Sequence, residues 1–127
     1  MIGLTGLEGL KAADLATRAS TLPVASTVGE LRAYFAASSS RQLAVIVDGD
    51  RYVGSVAPAD VPDDIDPAAT VAGFAQRGPV IEASRAADEA RDAALASPNA
   101  RLPVVDGNGG LVGIVAVNHD RDGFCGT

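Results

Sequence analysis

The sequence predicts an α/β fold of the α+β kind, in which one β-α-β-β unit occurs twice. Three observations predict it. A shift of 59 residues lays the chain on itself without gaps. Within each copy, apolar residues recur first at helical spacing and then along two short strands. Those strands are joined by turns rich in Gly, Asp and Asn. A length of 127 residues fits one compact domain, or two small repeats sharing a core.

The self-match carries Ala13, Ala16 and Arg18 onto Ala72, Ala75 and Arg77, and Glu30 and Arg32 onto Glu89 and Arg91. It carries Leu43 and Val45 onto Leu102 and Val104, and Val53-Gly54 and Val56-Ala57 onto Val112-Gly113 and Val115-Ala116. It gives about 13 identities over roughly 48 positions, where unrelated Ala-rich sequence gives about four or five.

Each copy then reads in the same order. A lead segment, Ala12 to Thr17 or Val71 to Gln76, precedes an extended stretch, Leu22-Pro23-Val24 or Val80-Ile81. A polar N-cap is expected next, at Ser26 or Thr27 in the first copy and at Ser84 in the second. The helix that follows presents Val28, Leu31 and Phe35, or Ala87, Ala90 and Ala94, on one face. Ser38-Ser39-Ser40 and Ser97-Pro98-Asn99 end these helices. Strands Leu43–Val47 and Tyr52–Val56 form one hairpin, and Leu102–Val105 and Leu111–Val115 the other. Their turns, Asp48-Gly49-Asp50 and Gly107-Asn108-Gly109-Gly110, hold residues that tolerate positive φ. The expected boundaries are an N-terminal extension at 1–10, repeats at 11–61 and 70–120, an acidic linker at 62–69 and a tail at 121–127.

Composition limits the function. Hydrophobic residues make up 47% but aromatic ones only 4%, so the core is built from small side chains packed closely. Ten basic residues against 16 acidic ones give a net charge of −6, and Lys11 is the one lysine. Nucleic-acid binding draws on Lys and Arg against phosphates, so no nucleic-acid partner is expected. No apolar run approaches the roughly 20 residues that span a bilayer, so no membrane segment is expected. Met1 to Leu10 lacks the basic start of a signal peptide, which makes a cytoplasmic protein the expectation. A single Cys125 allows no internal disulfide and no cysteine zinc site. The Gly107–Gly110 run precedes a strand, not a helix, so it is a turn and no phosphate loop. The aspartates between Asp60 and Asp66 lack the spacing of a calcium loop, and no metal site is expected. One histidine near the chain's end supports no catalytic triad; no catalytic residue and no enzyme activity are expected.

The duplicated pattern resembles the tandem CBS domain, named for cystathionine beta-synthase. Arg101-Leu102-Pro103-Val104-Val105-Asp106, with Leu111-Val112-Gly113-Ile114-Val115 after the turn, is similar to the family's paired strands. Leu43 to Val56 repeats the pattern without the proline, and Ala12-Ala13-Asp14-Leu15-Ala16-Thr17-Arg18 is similar to the family's opening. The resemblance covers about residues 11–120. It implies a Bateman module, two pseudo-symmetric repeats packed through their sheets. It also implies a regulatory role, often as a homodimer or with a regulated partner protein. The implied ligands are adenosine compounds: AMP, ADP, ATP or S-adenosylmethionine, held as regulators and not as cofactors.

The family's ligand signature, Gly-h-x-Thr/Ser-x-x-Asp, places a carboxylate where it can accept from both ribose hydroxyls. The first copy reads Gly54-Ser55-Val56-Ala57-Pro58-Ala59-Asp60, with the Asp kept and Ala57 in place of the hydroxyl. Ser55 lies two places earlier on the same strand face. Asp60 therefore reads either as a ribose ligand or as a cap on the linker. The second copy reads Gly113-Ile114-Val115-Ala116-Val117-Asn118-His119, where His119 replaces the Asp and Asp120 comes one residue late. His119 is a hydrogen-bonding ligand candidate or a plain surface residue. Arg101 stands where the family often places a phosphate contact, which suits its donor fork; the matching place is Gln42, beside Arg41. An adenine is expected against Leu22, Val24, Ala44 and Val56. The rival reading is a ligand-free interaction module with degenerate pockets. The family's helix after each signature Asp has little room here, since Pro62 follows Asp60 closely and Gly123 follows Asp120.

Overall fold

Both expected hairpins form in the computed structural model, which describes residues 2–18, 20–39, 41–118 and 120–125. The elements are α1 (Ala12–Leu15), β1 (Thr21–Pro23), α2 (Val28–Ala36), β2 (Ala44–Asp48) and β3 (Arg51–Val56). The second copy supplies β4 (Ile81–Glu82), α3 (Ala87–Leu95), β5 (Arg101–Val105) and β6 (Leu111–Ala116). Three-residue 3-10 turns lie at Pro58–Asp60 and Val71–Gly73, and Pro98–Ala100 is a kinked turn in which Asn99 and Ala100 take positive φ. Two sheets of three strands result, ordered β1-β2-β3 and β4-β5-β6. In each, the first pair is parallel and the second antiparallel. Gly49 and Gly109 take positive φ in the two turns, of 66° and 87°. In the second turn the Asp106 carboxylate also accepts from the Asn108 and Gly110 amides, both at 2.9 Å.

The chain divides into two compact units that cut across the repeats. One is Ser20–Gly78; the other joins Met1–Ala19 to Pro79–Thr127. The reason lies in the lead segments, each of which completes the sheet of the other copy. Thr17 bridges Ile114, with amide–carbonyl bonds of 2.9 Å in both directions. Gln76 bridges Ser55 in the same way, at 3.0 and 2.9 Å. Upstream, Ala12 donates to the Arg85 carbonyl and Val71 to the Ser26 carbonyl, both at 2.8 Å.

The same correspondence continues into the stretches expected to be extension and linker. Ala87 donates to the Leu10 carbonyl at 3.0 Å, and Val28 to the Ala69 carbonyl at 2.8 Å. The Arg91 guanidinium donates to the Leu4 carbonyl at 3.1 Å, as Arg32 does to the Asp63 carbonyl at 3.3 Å. Hydrogen bonding thus makes residues 4–10 the counterpart of residues 63–69. The two helix starts differ in their side-chain caps. Thr27 caps α2 as expected, in a reciprocal pair with Glu30. The second helix starts after Ala86, not at Ser84, and has no side-chain cap, because Ala86 stands where the first copy has Thr27 and carries no side-chain acceptor.

The gapless alignment slips by one residue in the central strands. Ala44 pairs with Val56 and Ile46 with Gly54, while Leu102 pairs with Val115 and Val104 with Gly113. Ala44 therefore matches Leu102, and not Leu43 as the self-match has it. One extra residue between α2 and β2 is offset by one extra residue in the second hairpin. Irregular pairing recurs at the same place, between Ile46 and Val47 and between Val104 and Val105.

Each unit has its own core. In Ser20–Gly78 it holds Leu31, Ala44, Ile46, Val56 and Val71, all fully buried. In the other unit it holds Leu15, Ala90, Leu102, Val104, Val115 and Phe124, again fully buried. The cores conserve volume by a swap of sizes. Leu31 and Ala44 share one core, and their counterparts, Ala90 and Leu102, share the other. Small side chains dominate as composition predicted, and α3 buries three alanines. Leu4–Leu10 forms no helix but places Leu7 in the core.

Candidate functional site

The sequence singled out the chain that leaves β3, and the structure gives that stretch a definite geometry. Ala57-Pro58-Ala59-Asp60 closes a tight turn: the Asp60 amide donates to the Ala57 carbonyl at 2.9 Å. The Ala57 amide in return donates to Asp60 Oδ2 at 2.8 Å. Proline at the first turn position presets its φ. Pro58, Ala59 and Asp60 are all exposed. Asp60 is thus a cap on its own turn, through one carboxylate oxygen, and it stands at the surface. Both roles weighed from sequence are compatible with this placement, because a carboxylate has further acceptor capacity.

Ser55 is half-buried on β3, two residues before Ala57. Its Oγ accepts from the Tyr52 hydroxyl at 3.4 Å. Burial pushes the Tyr52 phenol above its usual 10.0, partly offset by the Ser55 bond and by the charge of Arg77. The turn's far side is held by Arg32 on α2, whose Nη2 donates to the carbonyls of Pro62, Asp63 and Ile65 at 3.0, 3.3 and 3.3 Å. The acidic linker is therefore ordered through its backbone by one guanidinium. Among the described residues, no group of three His, Cys, Asp or Glu side chains is placed to hold a metal.

The four apolar candidates fall in one cluster. Ala44 and Val56 are register partners and fully buried in the core, while Leu22 and Val24 pack against it and stay half-buried. Ala44 and Val56 are core residues with no exposed surface; Leu22 and Val24 are the two that reach it. Arg101 belongs to the other compact unit. It opens β5 opposite Ala116, and its Nη1 donates to the Asn99 carbonyl at 2.6 Å. By the corrected register its counterpart is Leu43, not Gln42. Arg41 is engaged elsewhere, 4.5 Å over the Tyr34 ring with Nη1 on the Tyr34 carbonyl at 3.0 Å. His119 lies outside the described residues.

The second copy leaves its last strand differently. No counterpart of the Ala57–Asp60 bond pair is found after Ala116 among the described residues. Instead Val117 bridges Phe124, and Cys125 donates to the Ala116 carbonyl at 2.7 Å. Sequence reading took 121–127 as a tail and missed Phe124, which is fully buried. A lone aromatic between Gly123 and Cys125 carries no periodicity by which to find it.

The arrangement of elements defines a class. The fold is that of a tandem CBS module, found in solved structures of such pairs. A CBS domain pair/ACT domain protein from Thermotoga maritima matches with a TM-score of 0.74 and 20% identity, over 85% of this chain and 90% of that one. The CBS-pair protein CBSX2 from Arabidopsis thaliana matches with a TM-score of 0.71 and 19% identity, over 84% and 87%. The cytosolic domain of the Mg2+ channel MgtE, solved in complex with ATP, matches with a TM-score of 0.70 and 28% identity. That match covers 90% of this chain and 48% of the MgtE chain, about half its length. CBSX2 has also been solved in complex with AMP. No family model and no curated protein matches the sequence.

Proposed function

We propose that this chain is a regulatory CBS-pair module that binds an adenosine-containing ligand of the AMP, ADP or ATP kind and signals through a homodimer or a partner protein. The observation that carries the reading is the Ala57–Asp60 turn. It is a short exposed turn that ends the first copy's hairpin and presents the signature carboxylate at the surface. A ribose diol offers two O–H donors to such a carboxylate, with Ser55 as the nearer hydroxyl on β3. Leu22 and Val24 supply apolar surface for the base; Arg101, in the other unit, is kept as a separate phosphate candidate. The AMP complex of CBSX2 and the ATP complex of MgtE support this ligand class. No catalytic group is assigned, and a cytoplasmic setting is proposed with the role. No helix among the described residues is long and apolar enough to cross a membrane.

A second reading, a ligand-free interaction module, is favoured by specific observations. Ala57 replaces the hydroxyl of the signature, and Ala44 and Val56 are sealed in the core. Thermal unfolding with AMP, ADP, ATP, S-adenosylmethionine and a guanosine control decides between them. A ligand at about a hundredfold its dissociation constant adds roughly 2.7 kcal/mol and raises the midpoint by a few degrees. An adenosine-selective rise that disappears in Asp60→Ala supports the sensor. The absence of any shift at about 1 mM rejects it in favour of the interaction module.

A further inference from the structure

The two copies end in opposite ways, and the difference lies where a ligand would sit. In the first, the Ala57 carbonyl accepts from Asp60 three residues on, and the turn is open to solvent. In the second, the equivalent Ala116 carbonyl accepts from Cys125, and Asn118 donates to the Gly123 carbonyl at 3.0 Å. Val117, the counterpart of exposed Pro58, is 2% exposed; its amide donates to the Ala100 carbonyl at 3.0 Å. The reversal between them is stapled by its own side chains. Asn118 Nδ2 donates to Asp122 Oδ1 at 2.6 Å, and the Asp122 amide to Asn118 Oδ1 at 3.1 Å. A second segment locks on from outside: Gly3 bridges Gly123, and the Phe124 amide donates to the Ile2 carbonyl at 2.9 Å. Phe124 anchors the whole in the core at 0% exposure.

We infer that Asn118 and residues 121–125, held by the Ile2–Leu4 segment, are a built-in closure over the second copy's ligand edge, which leaves one open edge per chain. The backbone groups that a nucleotide would approach after β6 are already bonded to this returning segment. An entering ligand must therefore break several backbone bonds and withdraw a buried phenylalanine, which costs more than one phosphate contact returns. The identity of the ligand at the open edge rests on the reading above; the closure does not.

Two measurements test it on the full chain. Amide hydrogen exchange reads the closure without ligand. The Val117, Asn118, Phe124 and Cys125 amides are expected to exchange as slowly as those of β6, and more than about tenfold slower than Ala57 and Asp60. Exchange of those four amides as fast as Ala57 overturns the closure. In Phe124→Leu, which keeps a buried apolar group, these four amides quicken ahead of the rest of β6; uniform quickening makes Phe124 an ordinary core residue and also overturns it. Equilibrium dialysis with AMP then counts sites. One equivalent per chain that is lost in Asp60→Asn supports the inference, whereas two equivalents, or one that survives Asp60→Asn, overturn it. If AMP does not bind at all, the nucleotide reading falls, and the closure is judged by exchange alone.

Discussion

Gly54 and Gly113 occupy equivalent places on β3 and β6, where the opposite copy's lead segment crosses. A β-carbon on Gly113 would lie 2.5 Å from the Thr17 carbonyl oxygen, a backbone atom that cannot swing aside. On Gly54 the corresponding distance, to the Gln76 carbonyl oxygen, is 3.0 Å. Gly113→Ala is therefore expected to cost about 2–3 kcal/mol in denaturant unfolding, and Gly54→Ala clearly less. Equal costs would show that the lead segments do not set the glycine requirement. The two glycines were recognised in the sequence as a repeated pair. Their reason was not legible there, because it comes from a segment 97 residues away in the case of Thr17 and Ile114.

At the scale of elements, the size swap between the cores gives a double-mutant test. Ala90 on α3 faces a core that already holds Leu102, both fully buried. Ala90→Leu overfills it, at about 1–3 kcal/mol. Leu102→Ala leaves a cavity, at about 2–5 kcal/mol. The pair together recreates the Leu31–Ala44 arrangement of the other unit, so the combined loss is expected to fall at least about 1 kcal/mol short of the sum. Simple additivity would reject the compensation. Helices, strands and hairpins were legible because Val, Leu and Ala recur at clear periods and turn residues separate them. The one-residue slip was not, because alternation in Leu43-Ala44-Val45-Ile46-Val47 is absent: β2 buries four successive residues. Of the candidate site, Asp60 was singled out by its place in the family signature, and its capping of the turn follows from its three-residue spacing to Ala57. Phe124, buried by distant contacts alone, left no pattern to read.

At the scale of the whole molecule, one unit is continuous in sequence and the other is split. Residues 2–10 belong to the split one, bringing Leu7 to its core with Ile2, Leu4 and Leu10 packed against it. Deleting residues 2–10 is expected to remove at least about 3 kcal/mol of protection from the split unit, at roughly 1.5–3 kcal/mol per buried side chain. Amides of β2 and β3 should keep theirs to within about 1 kcal/mol. Uniform loss across both units would show that the two do not open separately.

The split also sets an order of assembly on the ribosome. Synthesis runs from the N-terminus, and domains tend to close as they emerge. The Ser20–Gly78 unit has every strand and its lead segment in hand once Gly78 has left the tunnel. Its bridge from Ser55 to Gln76 closes a short loop. The first lead segment, made earlier, must wait for Ile114, and long closures form late. The nascent chain thus carries the first lead segment, still without Ile114, past a finished neighbour, and the later strands are built onto a segment made long before them.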